Sequence, residues 1–198
     1  VVGMPHEFSG LAGEEVTIAE VLSEAGYATA HFGKGHLGDI EESYLHNQGF
    51  DEALFTPMNQ ITSLYNPQGE AANAVLGLHP EMYPPDPYRL DSIGLLPMGW
   101  VQIIDGKKGE QGMEWCGTSN ECFEKMETES EKRTLEFIKK NAEDNKPFFV
   151  EYWPNFLNFL LPQPQKTTMN GGKVANFYVR LDNFVGKVME TLEELGIE

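Results

Sequence analysis

Basic side chains are scarce in this sequence: 14 Lys+Arg stand against 31 Asp+Glu, a formal net charge of −17. Nucleic acid and anionic membranes are bound through clustered cations, so a field of this sign argues against both as partners. Long hydrophobic runs are missing too. No stretch approaches the roughly 18 consecutive apolar residues of a membrane-spanning helix. Cysteine is reduced to Cys116 and Cys122, in Cys-Gly-Thr-Ser-Asn-Glu-Cys. That spacing is too wide for a C-x-x-C half-site and has no second half, which argues against thiolate metal binding. Two free thiols and one local disulfide around a short Gly-containing loop both remain open, the disulfide being the choice of an exported protein. There is no Asn-x-Ser/Thr sequon and no charged segment followed by an apolar one at the start. The chain runs from Val1-Val2-Gly3-Met4 to Gly196-Ile197-Glu198, and neither end resembles the natural edge of a gene product. A piece of a longer protein is the expectation.

What is present suits one domain or part of one, since 198 residues with 40% hydrophobic content can bury a core. Thr17 followed by Glu20 forms a capping box, and Ile18, Val21, Leu22 and Ala25 recur at helical spacing before the stop at Gly26. Tyr27 to Phe32 then reads as a short buried strand. Residues 1–46 are thus a helix and a strand. Residues 47–121 read as an irregular insert, because prolines cluster from Pro57 to Pro97 in runs such as Tyr83-Pro84-Pro85-Asp86-Pro87. A short hairpin is expected near Trp100 to Ile104. Such an insert is expected to lie over the sheet's C-terminal edge. Residues 122–198 return to order. Met126, Thr134, Leu135, Ile138 and Ala142 give a helical face, Phe148 to Trp153 a buried strand, and Val174, Phe177, Tyr178, Leu181, Val185, Val188, Leu192 and Leu195 a long amphipathic helix. Helix and strand alternating in this order predict an α/β sandwich with a mostly parallel sheet.

The chemistry is expected in Gly33-Lys34-Gly35-His36-Leu37-Gly38-Asp39. If extended geometry continues past Phe32, the two-residue period puts Lys34 and His36 on one side at the strand's C-terminal end, where open α/β sheets bind ligands. The glycines would let backbone approach a bound group closely. An ammonium beside an imidazole suits an anion such as sulfate or phosphate, with charge from Lys34 and a directional donor or general acid from His36. Composition alone does not separate this from a Gly-rich turn carrying a surface lysine.

The helix ending in Gly26-Tyr27, the strand, and Gly33-Lys34-Gly35-His36-Leu37-Gly38 together resemble the G-K-x-H-L-G signature of the type I sulfatases, the arylsulfatase family of the alkaline-phosphatase superfamily. Gly49-Phe50-Asp51-Glu52, Lys146-Pro147-Phe148-Phe149-Val150 and Leu181-Asp182-Asn183-Phe184-Val185-Gly186 match in the same order. The resemblance implies part of a three-layer sandwich, and a parent activity of sulfate-ester hydrolysis by a formylglycine nucleophile with calcium. It implies Lys34 on the sulfate and His36 on the formylglycine hydroxyl. It also implies an exported, secreted or periplasmic protein, in which Cys116 and Cys122 are expected to pair.

Two departures accompany the resemblance. The C/S-x-P/A-S-R motif that yields formylglycine does not occur: Gly-Thr-Ser-Asn follows Cys116 and Phe-Glu-Lys-Met follows Cys122. After the Pro-Phe-Phe strand, where the family carries a sulfate-contacting histidine, no histidine follows His79 at all. Asn158 falls near that place; its amide can donate a hydrogen bond but cannot protonate a leaving group at neutral pH. The expectation is a sulfatase-like segment that is inactive alone, with calcium and formylglycine belonging only to a complete family member. Its partners would be a sulfate ester and the remainder of a longer chain. The alternative is a non-catalytic assembly protein in which copies of such a segment associate, even into filaments.

Overall fold

The computed structural model describes residues 9–57, 102–116, 120–154 and 172–197. Five strands form one mixed sheet: β1 (Ala28–Lys34), β2 (Glu52–Thr56), β3 (Ile104–Lys107), β4 (Met113–Glu114) and β5 (Phe148–Trp153). Their order is β4-β3-β2-β1-β5. Three helices accompany them: α1 (Ile18–Glu24), α2 (Asn120–Glu143) and α3 (Gly172–Leu195). β1 lies inside the sheet and is parallel to both neighbours, with Ala30 opposite Glu52 on one side and Val150 on the other. β3 and β4 add antiparallel pairings beyond β2.

Side chains along β1 alternate between two cores, as the pleat requires. Ala28, Ala30 and Phe32 face α2 and pack with Leu54, Met126 and Phe137. On the other face Ala53, Phe55 and Ile104 pack with Ala19 of α1 and with Leu45 and Phe50. Helical layers therefore cover both faces of the sheet. α3 lies against α2 and the end of β5, through Phe184 beside Tyr152 (ring centroids 4.5 Å) and Arg180 paired with Glu131 at 2.6 Å. Phe32, Leu54, Phe55 and Met126 are fully buried, each contributing about 1.5–3 kcal/mol of hydrophobic stabilisation.

Local chemistry sets the helix ends. At α1 the Glu20 N–H donates to Thr17 Oγ1 (3.1 Å) and the Thr17 N–H to Glu20 Oε2 (2.7 Å), the reciprocal capping box. Its far end closes through Gly26 at φ +90°, with Gly26 and Tyr27 N–H groups donating to the Ser23 and Leu22 carbonyls. This left-handed Schellman closure recurs at Asn145 after α2 and at Gly196 after α3.

Several expectations need correction. The span 47–121 is not irregular throughout: β2 enters it directly after Gly49-Phe50-Asp51, and β3 with β4 forms a hairpin starting at Ile104, later than the Trp100 to Ile104 expected. These strands are short and partly polar, so their pairing is set by the sheet beside them more than by their own apolar pattern. The remainder of the insert, residues 58–101, lies outside the described residues, as does Asn158. In α1 the inward residue is Ala19, while Ile18 and Val21 are exposed. A Cβ on Gly49 would collide with the backbone of Ala19 and Glu20, so only glycine lets the chain pass α1 this closely. β5 is half-buried, because it stands at the edge of the sheet among the described residues.

Candidate functional site

β1 runs out at Lys34, and residues 33–39 form a turn clamped by three distant segments. Gly33 has φ +119°, and a Cβ there would collide with the Trp153 carbonyl of β5. The Gly35 N–H donates to the Thr56 carbonyl at the end of β2 (2.8 Å). Gly38, at φ +131°, lies against Gly10 with no room for a side chain. There the Leu11 N–H donates to the Leu37 carbonyl (2.6 Å), the Asp39 N–H to the Ser9 carbonyl (3.1 Å) and the Ser9 N–H to Asp39 Oδ1 (3.0 Å). The close approaches that these glycines permit are thus to the protein's own backbone.

Lys34 is half-buried and His36 exposed. Extended pairing stops at Lys34 and His36 adopts φ +134°, so the two-residue strand period does not extend to His36. A non-glycine residue in such a conformation stores about 1–3 kcal/mol of strain, tolerated where the surroundings over-determine it and most often at working sites. The partial shielding of its ring, and secondarily the Lys34 ammonium, hold the His36 imidazole below its usual range. The turn thus offers one lysine side chain and one imidazole inclined to be neutral at pH 7.

Sequence reasoning missed the buried His31. Its Nε2 lies 2.9 Å from the Lys34 carbonyl and its Nδ1 lies 3.0 Å from Glu151 Oε2. The only sequence signal would have been the register that sets His31 opposite Glu151. Trp153, 52% exposed at the end of β5, stands opposite Gly33 beside the turn.

The described residues do not fit calcium. Among them no three His, Cys, Asp or Glu side chains converge on a common point. Asp39 accepts from the Ser9 amide, and Asp105 is held by both terminal nitrogens of Arg133 at 2.9 and 2.7 Å. A hard divalent cation requires about six oxygen ligands. Cys116 and Cys122 are joined in a disulfide.

Fold and turn together define an α/β protein that presents a lysine and a histidine at the carboxyl edge of a mixed sheet. Over 197 residues the chain is 24% identical to a canine (Canis lupus familiaris) N-acetylgalactosamine-6-sulfatase, covering 98% of this chain and 32% of that protein. It is 46% identical over 56 residues, 25% of this chain and 10% of the relative, to an arylsulfatase of Hemicentrotus pulcherrimus. Its fold superposes on the PsFucS1 sulfatase from Pseudoalteromonas sp. with a TM-score of 0.68 at 22% identity, covering 93% of this chain and 36% of that one. The sulfatase family model matches residues 1–198, and the chain belongs to the sulfatase family. It spans about a third of the length of the canine and Pseudoalteromonas proteins.

Proposed function

We propose that this chain forms the sulfate-receiving part of a sulfate-ester hydrolase. Lys34 holds the sulfate oxygens by charge, and His36 addresses a neighbouring oxygen as a hydrogen-bond donor or proton carrier. The observation that supports this reading is the strained His36, two residues after Lys34 in a turn clamped from three sides and within reach of the Lys34 charge. Membership of the sulfatase family supports it. In complete family members calcium and formylglycine supply the Lewis acid and the nucleophile. This sequence carries no C/S-x-P/A-S-R motif, and on this reading the share of the chain is to bind and orient, with no turnover of an aryl sulfate by the chain alone. The disulfide supports a secreted or periplasmic location. No helix among the described residues is long and apolar enough to cross a membrane.

The test is titration of the chain with inorganic sulfate, followed at the Lys34 and His36 resonances by NMR. Saturable shifts at both are expected, and Lys34→Ala should abolish them while moving the His36 titration midpoint upward. Sulfate shifts confined to other residues, or turnover of an aryl sulfate by the isolated chain, would contradict the reading.

A second reading, a self-associating structural protein built on the same segment, draws on α3. Tyr178, Val185 and Met189 form an exposed apolar row along it.

A further inference from the structure

His31 is only 3% exposed, yet oxygen atoms meet both of its ring nitrogens. The Lys34 carbonyl can only accept, so Nε2 carries a proton and donates to it. Nδ1 engages the Glu151 carboxyl, and Glu151 comes from β5, 120 residues away in sequence. The ring edge also rests on Phe50, with centroids 5.4 Å apart and planes at 69°. The imidazole therefore spans from the neighbouring strand to the last carbonyl of β1 with little freedom to rotate. It sits where the backbone most needs support, between Gly33 at φ +119° and His36 at φ +134°. Of its two partners, one is the backbone carbonyl of the residue that carries the proposed anion contact.

We infer that His31, braced by Glu151, is a positioning residue: it fixes the Lys34 backbone and so sets the Lys34 ammonium beside His36 for oxyanion binding. The inference rests on the sulfate-site reading for its purpose. The strut itself is a matter of geometry and can be tested without a ligand.

The experiment compares wild type with His31→Leu, His31→Gln and Glu151→Ala. It uses NMR titration of the His36 ring without ligand, inorganic sulfate as the binding probe, and thermal unfolding as the check on folding. In His31→Leu the released Lys34 drifts from His36, so the His36 midpoint should rise in the same direction as in Lys34→Ala, and sulfate should bind about tenfold more weakly, the loss of one charge-assisted hydrogen bond. His31→Gln should restore much of both readouts, since its side-chain amide can still donate to the Lys34 carbonyl. Glu151→Ala should give an intermediate effect, and Glu151 is more exposed than His31, so this variant decides the matter if His31→Leu does not fold. A purely structural histidine would lower the melting temperature in these variants and leave the His36 midpoint and the sulfate affinity of the folded protein unchanged. That outcome in Glu151→Ala would overturn the inference. Absence of any sulfate response in wild type would instead remove the proposed function, with the His36 titration still deciding whether the strut exists.

Discussion

Glu52 is half-buried on β2, near Arg133, Lys140 and Lys107, and still its carboxyl is pushed above the ordinary carboxylate range because burial outweighs these cations. A carboxyl with a raised folded value penalises the fold once ionised. The penalty is absent at low pH and appears as pH rises through the folded value. Glu52→Gln is therefore expected to raise the melting temperature at pH 7 by about 2 °C and to lose that advantage in acid. Thermal melts of both proteins across the acid range check this, and an advantage that grows on acidification would contradict it. Glu129 works in the opposite sense. Its hydrogen bond from Arg133 lowers it below 4.5, so its contribution is present above that value and is lost as pH falls through the folded one. At this scale Lys34 and His36 could be proposed from the sequence because one short motif contains both. His31 and Glu151 were not, since their relation exists only through the pairing of β1 with β5.

Among the elements, α1 shows how far local chemistry reaches. Thr17 both caps the helix and donates through Oγ1 to the Gln48 carbonyl at 2.8 Å. Thr17→Ala is expected to cost about 1 kcal/mol, and Thr17→Ser should retain most of it, as judged by urea midpoints. Equal midpoints for Thr17→Ala and wild type would show that the cap adds nothing. The start and stop of this helix could be read from Thr17, Glu20 and Gly26 alone. Its inward face could not, because Ala19 is covered by the core on that side of the sheet while Ile18 and Val21 stay exposed, a choice that the spacing of apolar residues does not carry. α2 was harder still. Its buried side mixes Met126, Phe137 and Ile138 with Ser130, Thr134 and Asn141. The last two hide their polarity by donating to the carbonyls of Ser130 and Phe137 one turn back. The hairpin of β3 and β4 lacked a strong pattern of its own. Asp105 within it is explained only by Arg133 of α2, which grips it with both terminal nitrogens.

On the scale of the molecule, helices on both faces of a sheet followed from the alternation of helical and strand patterns, whereas the antiparallel additions did not. Ile18 and Val21 on α1, and Tyr178, Val185 and Met189 on α3, leave apolar surface uncovered among the described residues. A chain spanning about a third of its relatives is expected to cover such surface with further polypeptide. Sedimentation of the isolated chain should accordingly show association that increases with concentration, and a monodisperse species of about 22 kDa would oppose it. The clamps on the Lys34–His36 turn also fix when it can form during folding. They join residue 38 to residue 10 and residue 33 to residue 153, so the turn is expected to take shape only after β5 has docked on β1. In pulse-labelling hydrogen exchange during refolding, the Gly35 and Asp39 amides should gain protection together with those of β5 and after those of α2. Protection of that turn ahead of β5 would show that its shape is local in origin. A chain lacking β5 would then carry the motif intact in sequence while being unable to display it, which would tie the proposed anion binding to completion of the sheet.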